Sequence, residues 1–246
     1  DRARASRLPF GVTPYYASLM DREAHRRDDH AVRAQVLPPP FYVDTMREHD
    51  NDRAEYFDFM RETDTSPVDL ITRRYPHIAI FKPYNTCSQI CVYCQRNWEI
   101  NDVLFPEALA LPEKIDRAIG WLSDHPAITE VLVTGGDPLV MPDHVLASIL
   151  DRLAAISHIE RIRIGSRIVV ALPQRMTEAL ADLLARHHLP GRREMALITH
   201  FEHPYEVTPE AMEAVQKVRR RGISVYNQAV FTMENSRRFE LVALRR

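Results

Sequence analysis

All three cysteines of this 246-residue chain lie in one stretch, Cys87-Ser88-Gln89-Ile90-Cys91-Val92-Tyr93-Cys94. Thiols gathered at the spacing C-x3-C-x2-C are typical of a site that needs several soft ligands at one point. Three ligands are one fewer than a tetrahedral zinc ion or a cubane iron–sulfur cluster takes. The stretch therefore predicts either a fourth ligand elsewhere or a position that stays open for chemistry.

Zinc and iron–sulfur binding are the two interpretations of this cysteine loop. Structural zinc ligands usually come as two pairs, and the sequence offers no second C-x2-C pair. We therefore expect an iron–sulfur cluster with one open iron, held by Cys87, Cys91 and Cys94. A cluster- or zinc-binding scaffold without catalytic activity is the alternative outside the enzymes.

Composition limits the class of partner. The formal charge of the chain is −2, and 45% of its residues are apolar. This balance supplies a sizeable core and no global attraction to nucleic acid or anionic lipid. The sequence contains no run of 18 apolar residues and no visible signal peptide. We therefore expect a soluble, cytoplasmic protein that acts on a small molecule, without nucleic-acid or membrane partners.

Short apolar runs after residue 77 predict the strands of a parallel sheet. The runs are 78–81, 131–133, 162–164, 195–198 and 223–226. Helical stretches separate them, around Ile115, from Asp143, after Thr177 and after the N-cap Thr208. Strand and helix in alternation indicate βαβ units. The sequence thus predicts an α/β fold over residues 71–246, a partial (β/α)6-type TIM-like barrel without its sixth strand.

A cluster of polar residues follows each predicted strand. The clusters are Cys87–Cys94, Thr134–Asp137, Gly165–Arg167, Thr199–His200 and Asn227–Gln228. In a parallel barrel the carboxyl ends of the strands share one face, where active sites are built. We therefore expect these clusters to line a single site.

Two of the clusters carry residues suited to ligand binding. Gly135, Gly136 and Gly165 end predicted strands, although the chain has only seven glycines. Their placement indicates close backbone approach or a positive φ. The carboxylate of Asp137 can bind an ammonium group, and Arg167 can bind a carboxylate through two parallel hydrogen bonds. An ordinary turn and a salt bridge at the rim are the structural alternatives for these two residues.

Residues 1–70 are charged and show no strand alternation. Helix-like segments fall near 14–20 and 52–62, and Pro38-Pro39-Pro40 predicts a stop between them. We expect a helical N-terminal extension that caps one end of the barrel or forms a contact between copies of the chain.

The cysteine spacing after the first strand of a βα barrel resembles the radical S-adenosylmethionine superfamily. In that superfamily three thiolates hold a [4Fe-4S] cluster, and the methionine part of S-adenosylmethionine binds the open iron. The resemblance implies cleavage of the sulfonium to a 5′-deoxyadenosyl radical, with an electron donor such as flavodoxin or ferredoxin. Thr134-Gly135-Gly136-Asp137-Pro138 resembles the second motif of the superfamily, which receives the methionine amino group.

Longer stretches are similar to the lysine 2,3-aminomutase family, from about residue 12 to 230. Members of that family use the deoxyadenosyl radical with pyridoxal phosphate to move an α-amino group to the β carbon. The similar stretches are Thr13–Tyr16 with Ser18–Met20, Arg74–Pro76, Arg163–Arg167 with Leu172–Arg175, Thr199–Pro204 and Asn227–Gln228.

By position, the resemblance implies roles for particular residues. Those at the S-adenosylmethionine site would be Tyr93, Gly135, Gly136, Asp137, Ser166, Arg167, His200, Gln228 and Val230. Tyr93 stands where the family often has histidine. Arg74 would contact the pyridoxal phosphate group, and Arg96 the substrate carboxylate, which points to an amino acid as substrate. The resemblance assigns no catalytic residue within this chain.

Three departures from the family concern the second cofactor and the substrate. Ile78 occupies the position of a second phosphate-binding arginine. The cysteine loop continues as Gln95-Arg96-Asn97-Trp98 rather than as a run of arginines. The Schiff-base lysine of the family and its substrate-recognising acids lie beyond Arg246. We therefore expect the chain to be part of a longer protein.

The three lysines of the chain do not replace the missing one. Lys114 and Lys217 fall on predicted helices, and Lys82 is expected in a buried ion pair. Two enzyme functions stay open as a result. One is an aminomutase that shifts an amino group between adjacent carbons with pyridoxal phosphate. The other keeps the radical chemistry on a different substrate without pyridoxal phosphate.

Overall fold

The computed structural model describes residues 8–23, 29–103 and 105–245, and its centre is one sheet. The strands within these residues are β1 Ile71–Thr72, β2 Ile78–Tyr84, β3 Glu130–Gly135, β4 Arg161–Gly165, β5 Glu194–Thr199 and β6 Ser224–Asn227. From β2 to β6 each strand pairs in parallel with the next one along the chain. β1 is antiparallel to β2 at one edge.

Parallel strands in sequential order form part of a barrel wall. The α/β partial barrel predicted from the sequence is confirmed, and each predicted strand is present. Within the described ranges no pairing joins β6 to β1, so the barrel is not closed. β1 was not predicted, because two residues are too short for an alternating pattern to be visible.

The described helices fall into a short N-terminal group and a longer group between the strands. They are α1 Pro14–Ala17, α2 His30–Ala34, α3 Pro40–Glu48, α4 Arg53–Phe57, α5 Pro112–Ser123, α6 Asp143–Ala155, α7 Ile168–Ala171, α8 Glu178–Ala185, α9 Pro209–Arg219 and α10 Arg238–Arg245. Helices α8 and α9 begin where their caps predict, because Thr177 and Thr208 each accept a hydrogen bond from the backbone three residues on. None of the described helices is long and apolar enough to cross a membrane.

The N-terminal helices differ from the prediction in their bounds. The segments near 14–20 and 52–62 contain only the short helices α1 and α4. Pro40 begins α3 instead of marking a stop, because proline is well suited to the first position of a helix. The boundary of the extension at residue 70 remains a prediction, and its residues 1–7 and 24–28 lie outside the described ranges.

The main core lies between the sheet and the helices outside it. Along β2, Ala79 and Phe81 are buried in this core, whereas Ile80 and Lys82 point to the opposite face. That opposite face is the interior of the partial barrel. It carries the site described next.

Candidate active site at the carboxyl ends of the strands

A cavity of about 310 Å³ lies where β2 to β6 end. We call it the cysteine cavity because Cys87, Cys91 and Cys94 all line it. The other residues predicted for the site that line it are Tyr93, Arg96, Gly135, Gly136, Asp137, Ser166, Arg167, His200, Gln228 and Val230. The fold therefore brings together residues from the carboxyl ends of all five parallel strands.

The cysteine loop is held from the N-terminal side of the chain. The amide of Ile90 donates to the carbonyl of Gly11 at 2.9 Å, and the amide of Val92 donates to the carbonyl of Gln35 at 2.8 Å. These bonds lie on either side of Cys91. Residues of the N-terminal extension thus fix the backbone that presents this thiol.

The glycine motif after β3 packs against the start of the same loop. The amide of Gly136 donates to the carbonyl of Tyr84 at 2.6 Å, and the amide of Asp137 donates to that of Thr86 at 2.9 Å. A Cβ atom on Gly136 would lie 2.3 Å from the Thr86 oxygen, and Gly135 has a φ of +105°. Only glycine permits this approach, which sets the position of Cys87 relative to β3.

Asp137 already has backbone partners. Its Oδ1 accepts from the amide of Leu139 at 3.0 Å, and its Oδ2 accepts from the amide of Arg167 at 2.9 Å. Burial raises the pKa of this carboxyl, against the lowering effect of hydrogen bonds from Ser166 and these amides. Asp137 therefore ties the end of β3 to the end of β4, besides lining the cavity.

Arg167 is buried and makes contacts with three neighbouring elements. Its Nη1 lies 3.1 Å from the sulfur of Cys91, and its Nη2 lies 2.5 Å from Glu206 Oε1. Its Nε donates to the carbonyl of His200 at 3.2 Å. The salt bridge is therefore deep in the protein instead of at the rim.

Glu202 and Glu206 were missed by sequence reasoning. Glu202 Oε2 accepts from the amide of Val230 at 2.6 Å, and its Oε1 lies 3.6 Å from Nδ1 of His200. Both acids lie in the stretch Thr199–Pro204 or just after it, but nothing in the local sequence separates a buried glutamate from an exposed one. The stretch similar to the aminomutase family was the only signal available.

The donor set of the cysteine cavity suits a positively charged, soft partner. Burial, with the neighbouring Cys91, raises the pKa of the Cys94 thiol to about 12, and burial with Asp137 raises the pKa of Cys87 well above its ordinary value. Thiolates at this point therefore need a cation, which iron supplies. No group of three His, Cys, Asp or Glu side chains converges on a single ion among the described residues. The thiolates of a cluster bind separate irons and need no such convergence.

Gln89 provides a second indication of a ligand. It is 4% exposed and lines the cavity, and neither its amide oxygen nor its amide nitrogen has a hydrogen-bond partner within the described part of the chain. Buried amides are normally hydrogen-bonded. The three thiols and this amide together fit a cluster with a polar ligand beside it.

Comparison with known proteins agrees with this geometry. The family model for the radical SAM superfamily matches residues 81–244. The chain belongs to the radical SAM superfamily. Membership implies a [4Fe-4S] cluster and S-adenosylmethionine, and it implies a reductant.

Curated relatives place the chain more closely within the superfamily. An uncharacterised KamA family protein of Methanocaldococcus jannaschii is 48% identical over 100% of this chain and 39% of its own length. The L-lysine 2,3-aminomutase of Fusobacterium nucleatum is 37% identical over 91% of this chain and 48% of its own. The glutamate 2,3-aminomutase of Clostridioides difficile is 34% identical over 90% of this chain and 48% of its own length. This radical SAM chain spans less than half the length of these relatives.

A second cavity of about 460 Å³ contains Lys82 and Glu99 in its lining, and we call it the charged cavity. Lys82 Nζ lies 2.5 Å from Glu99 and 3.5 Å from Glu62. Arg96 Nη1 lies 2.8 Å from Glu62 and 3.4 Å from Glu99. Because Arg96 also lines the cysteine cavity, these four charges connect the two cavities. Lys82 is in the ion pair expected for it.

The residues considered for binding pyridoxal phosphate lie apart from the cysteine cavity. Arg74 is exposed between β1 and β2 and lines neither cavity, and Ile78 stands in place of the second arginine. Lys114 pairs with Asp69 at 3.0 Å, and Lys217 donates to a backbone carbonyl at 3.0 Å. The contact of Arg74 with this cofactor stays a prediction.

Proposed function

We propose that this chain is the S-adenosylmethionine-cleaving part of a radical enzyme that acts on an amino acid. The observation that carries the proposal is the convergence of the cysteine loop with the polar clusters after β3 to β6 in one cavity. A scaffold that only binds an iron–sulfur cluster would have no use for the polar residues that follow β3 to β6.

Three thiolates would hold the cluster, namely those of Cys87, Cys91 and Cys94. When bound, the cluster supplies the electron that cleaves S-adenosylmethionine to methionine and a 5′-deoxyadenosyl radical. The cavity walls would bind the nucleoside and keep it away from water. His200, Gln228 and Val230 are proposed to line its adenosine part, with the Val230 amide fixed by Glu202.

The methionine part would lie against the end of β3. Gly135 and Gly136 expose backbone there, and Asp137 holds that backbone in place through its bonds to Leu139 and Arg167. Tyr93 is proposed to border the same ligand from the cysteine loop. Each of these residues contributes orientation, which is the main contribution a protein makes to cofactor chemistry.

The relatives named as lysine and glutamate aminomutases support a 1,2-amino shift as the overall reaction. Arg96 is proposed to bind the substrate carboxylate, in exchange for one of its present partners Glu62 and Glu99. The alternative is radical chemistry on another substrate without pyridoxal phosphate. The apolar Ile78, at the position of a second phosphate-binding arginine, favours that alternative.

Reductive cleavage of S-adenosylmethionine tests the proposal. The protein, reconstituted with iron and sulfide under anaerobic conditions, should hold about four irons per chain. With dithionite and S-adenosylmethionine it should release 5′-deoxyadenosine, and without dithionite it should not. Absence of the nucleoside from a fully loaded sample would rule out both enzyme functions and favour the scaffold.

The two enzyme functions are separated by their cofactor requirement. The full-length protein is incubated with lysine or glutamate, with and without added pyridoxal phosphate, and β-amino acids are detected by mass spectrometry. A product that requires pyridoxal phosphate supports the aminomutase. Deoxyadenosine release that responds to an amino acid, with no β-amino acid product, supports the alternative.

A further inference from the structure

The contact between Arg167 and Cys91 joins a buried cation to a cysteine of the cluster loop. Arg167 Nη1 donates toward Cys91 Sγ at 3.1 Å, and the arginine is only 7% exposed. A nitrogen–sulfur distance of this size is a hydrogen bond to the sulfur. The proposed function makes that sulfur a ligand of the cluster.

Glu206 fixes the arginine from the opposite side. Its Oε1 accepts from Arg167 Nη2 at 2.5 Å and from the hydroxyl of Tyr16 at 2.5 Å. Its Oε2 accepts from the amide of Glu202 at 2.5 Å and from that of His203 at 3.3 Å. Both oxygens of this buried carboxylate are therefore in use, which leaves Glu206 little freedom to move.

Two aromatic rings enclose the same guanidinium. Its central carbon lies 5.3 Å from the ring centroid of Tyr16 and 5.7 Å from that of Tyr93. Tyr16 comes from α1, and Tyr93 comes from the cysteine loop. The guanidinium is thus held by elements far apart in the chain.

This geometry gives Arg167 a different use from the one its sequence position suggested. A carboxylate bound through two parallel hydrogen bonds would need two adjacent free N–H groups, on Nη1 and Nη2 or on Nε and one Nη, but Nε already donates to the carbonyl of His200 and Nη2 also to the hydroxyl of Tyr16. Here Nη1 points to Cys91 and Nη2 to Glu206. The side chain is therefore committed to the cysteine sulfur and its own support.

A cation and a hydrogen bond at a ligand sulfur stabilise the added negative charge of a reduced cluster. Hydrogen bonds to the sulfurs are among the features that set the reduction potential of iron–sulfur clusters. Low local dielectric strengthens such a bond when it is buried.

We propose that Arg167 is a positioning residue that raises the reduction potential of the cluster through its hydrogen bond to Cys91, with Glu206 and Tyr16 holding it in place. This inference rests on the proposed function, because it requires the cluster to be bound by Cys91. It goes beyond that function by assigning control of electron uptake to a residue that need not touch S-adenosylmethionine.

A redox titration of the reconstituted protein, followed by electron paramagnetic resonance, tests the inference. The variants are Arg167→Gln and Arg167→Lys, with Arg221→Gln as the matched control. Arg221 is an arginine paired with Asp182 and Glu178 that lines neither cavity. At the wild-type midpoint, the ratio of reduced to oxidised cluster in Arg167→Gln should fall at least tenfold, which is about 59 mV for a one-electron couple.

Arg167→Lys keeps the charge but has a single, more compact donor group. We expect the ammonium to follow Glu206 and to lose the bond to Cys91, so the same ratio should fall severalfold. Arg221→Gln should leave the midpoint unchanged. If Arg167→Gln assembles no cluster, the lysine variant decides alone.

The midpoint of the Arg167 variants and cluster binding by the wild-type protein are separate measurements. Wild-type iron content and an unchanged midpoint in both Arg167 variants, or in the lysine variant where it alone loads, would overturn this inference. The proposed function would then still stand, because nucleoside release is measured separately. Wild-type protein that binds no cluster would overturn both.

Discussion

The cysteine cavity and the charged cavity are linked through the ion pair of Arg96 with Glu99, yet they are built in different ways. The first is lined by sulfur, glycine backbone and an amide, Gln89, without a partner among the described residues. The second carries Lys82 and Glu99 in its lining, and their partners complete a set of two cations and two anions. One cavity has unsatisfied groups facing inward, whereas the other has charges that neutralise one another.

This difference matches two parts of the proposed reaction, which are the binding of the cluster with S-adenosylmethionine and the binding of the substrate. The groups proposed to bind the cluster and S-adenosylmethionine line the cysteine cavity together. Arg96, proposed to bind the substrate carboxylate, is in contrast already paired through Nη1 with Glu62 and Glu99. The cysteine loop and the glycine motif keep the pattern of the superfamily, whereas Ile78 and the segment Gln95–Trp98 differ from the aminomutase pattern.

The largest effect is expected for Cys91→Ala, which tests the cysteine cavity. Iron content and visible absorbance after reconstitution should be lost, because a ligand is removed. Far-UV circular dichroism should stay close to wild type, because the bonds from Ile90 and Val92 hold the loop backbone without the thiol. Ser88→Ala, in the same loop, is the control and should load normally. Full absorbance in Cys91→Ala would contradict ligation by that residue.

Gly136→Ala should distort the backbone that lines the cysteine cavity. The new methyl group would lie 2.3 Å from the carbonyl oxygen of Thr86, so the two loops must separate. We expect the free energy of unfolding to fall by roughly 1–3 kcal/mol, as for other overpacked sites, and cluster loading to fall with it.

Gly120→Ala is the matched control for this substitution. Gly120 lies in α5, and nothing is within 4 Å of the place that a new methyl group would take, so alanine should stabilise the protein by roughly 0.5–1 kcal/mol. Urea denaturation of both variants checks the pair. Equal effects of the same sign would show that the close approach to Thr86 does not matter.

Lys82→Met tests the charged cavity and should have a smaller effect. The substitution leaves Arg96 as the one cation paired with Glu62 and Glu99 in the described part of the chain. We expect the free energy of unfolding to fall by about 1–2 kcal/mol, which is less than for a fully buried pair because Glu99 is partly exposed. The midpoint of the cluster should not change. Lys114→Met, whose pair with Asp69 is exposed, should cost less than about 0.5 kcal/mol. A large shift in the cluster midpoint for Lys82→Met would show that the two cavities are not independent.

Asp58→Asn should have the smallest effect, on the segment that leads to Glu62. Burial is the largest single influence and raises the pKa of Asp58, but the amides of Glu62 and Thr63 and the Thr63 hydroxyl together lower it by more, so the net pKa lies below its ordinary value of 3.8. The stability from these bonds, roughly 0.5–1.5 kcal/mol for hydrogen bonds of this kind, is then present above pH 3.8 and is lost as the pH falls through the folded-state pKa. The gap in unfolding free energy between wild type and variant should be full at neutral pH and close in acid. A gap independent of pH would assign the effect to something other than this carboxylate.

Local sequence patterns were sufficient for the barrel strands and for the cysteine loop. Alternation in 78–81 and the caps Thr177 and Thr208 are short-range signals, and the structure follows them. The order of the polar clusters then placed them on one face, because parallel strands end together.

The long-range contacts that hold the site residues in place could not be predicted from local patterns. Tyr16 and Glu206 are in contact although 190 positions separate them, and no local pattern carries such information. Pro40 begins a helix although the proline run suggested a stop. The contact of Arg74 with pyridoxal phosphate came from resemblance alone and stays a prediction.

Mössbauer spectroscopy of protein reconstituted with ⁵⁷Fe is the most direct test of the open position in the cysteine cavity. Spectra are recorded before and after the addition of S-adenosylmethionine. We predict that one iron of the cluster changes its isomer shift when the ligand binds, while the irons bound by Cys87, Cys91 and Cys94 keep theirs. A fully loaded cluster whose irons all remain unchanged would contradict the account.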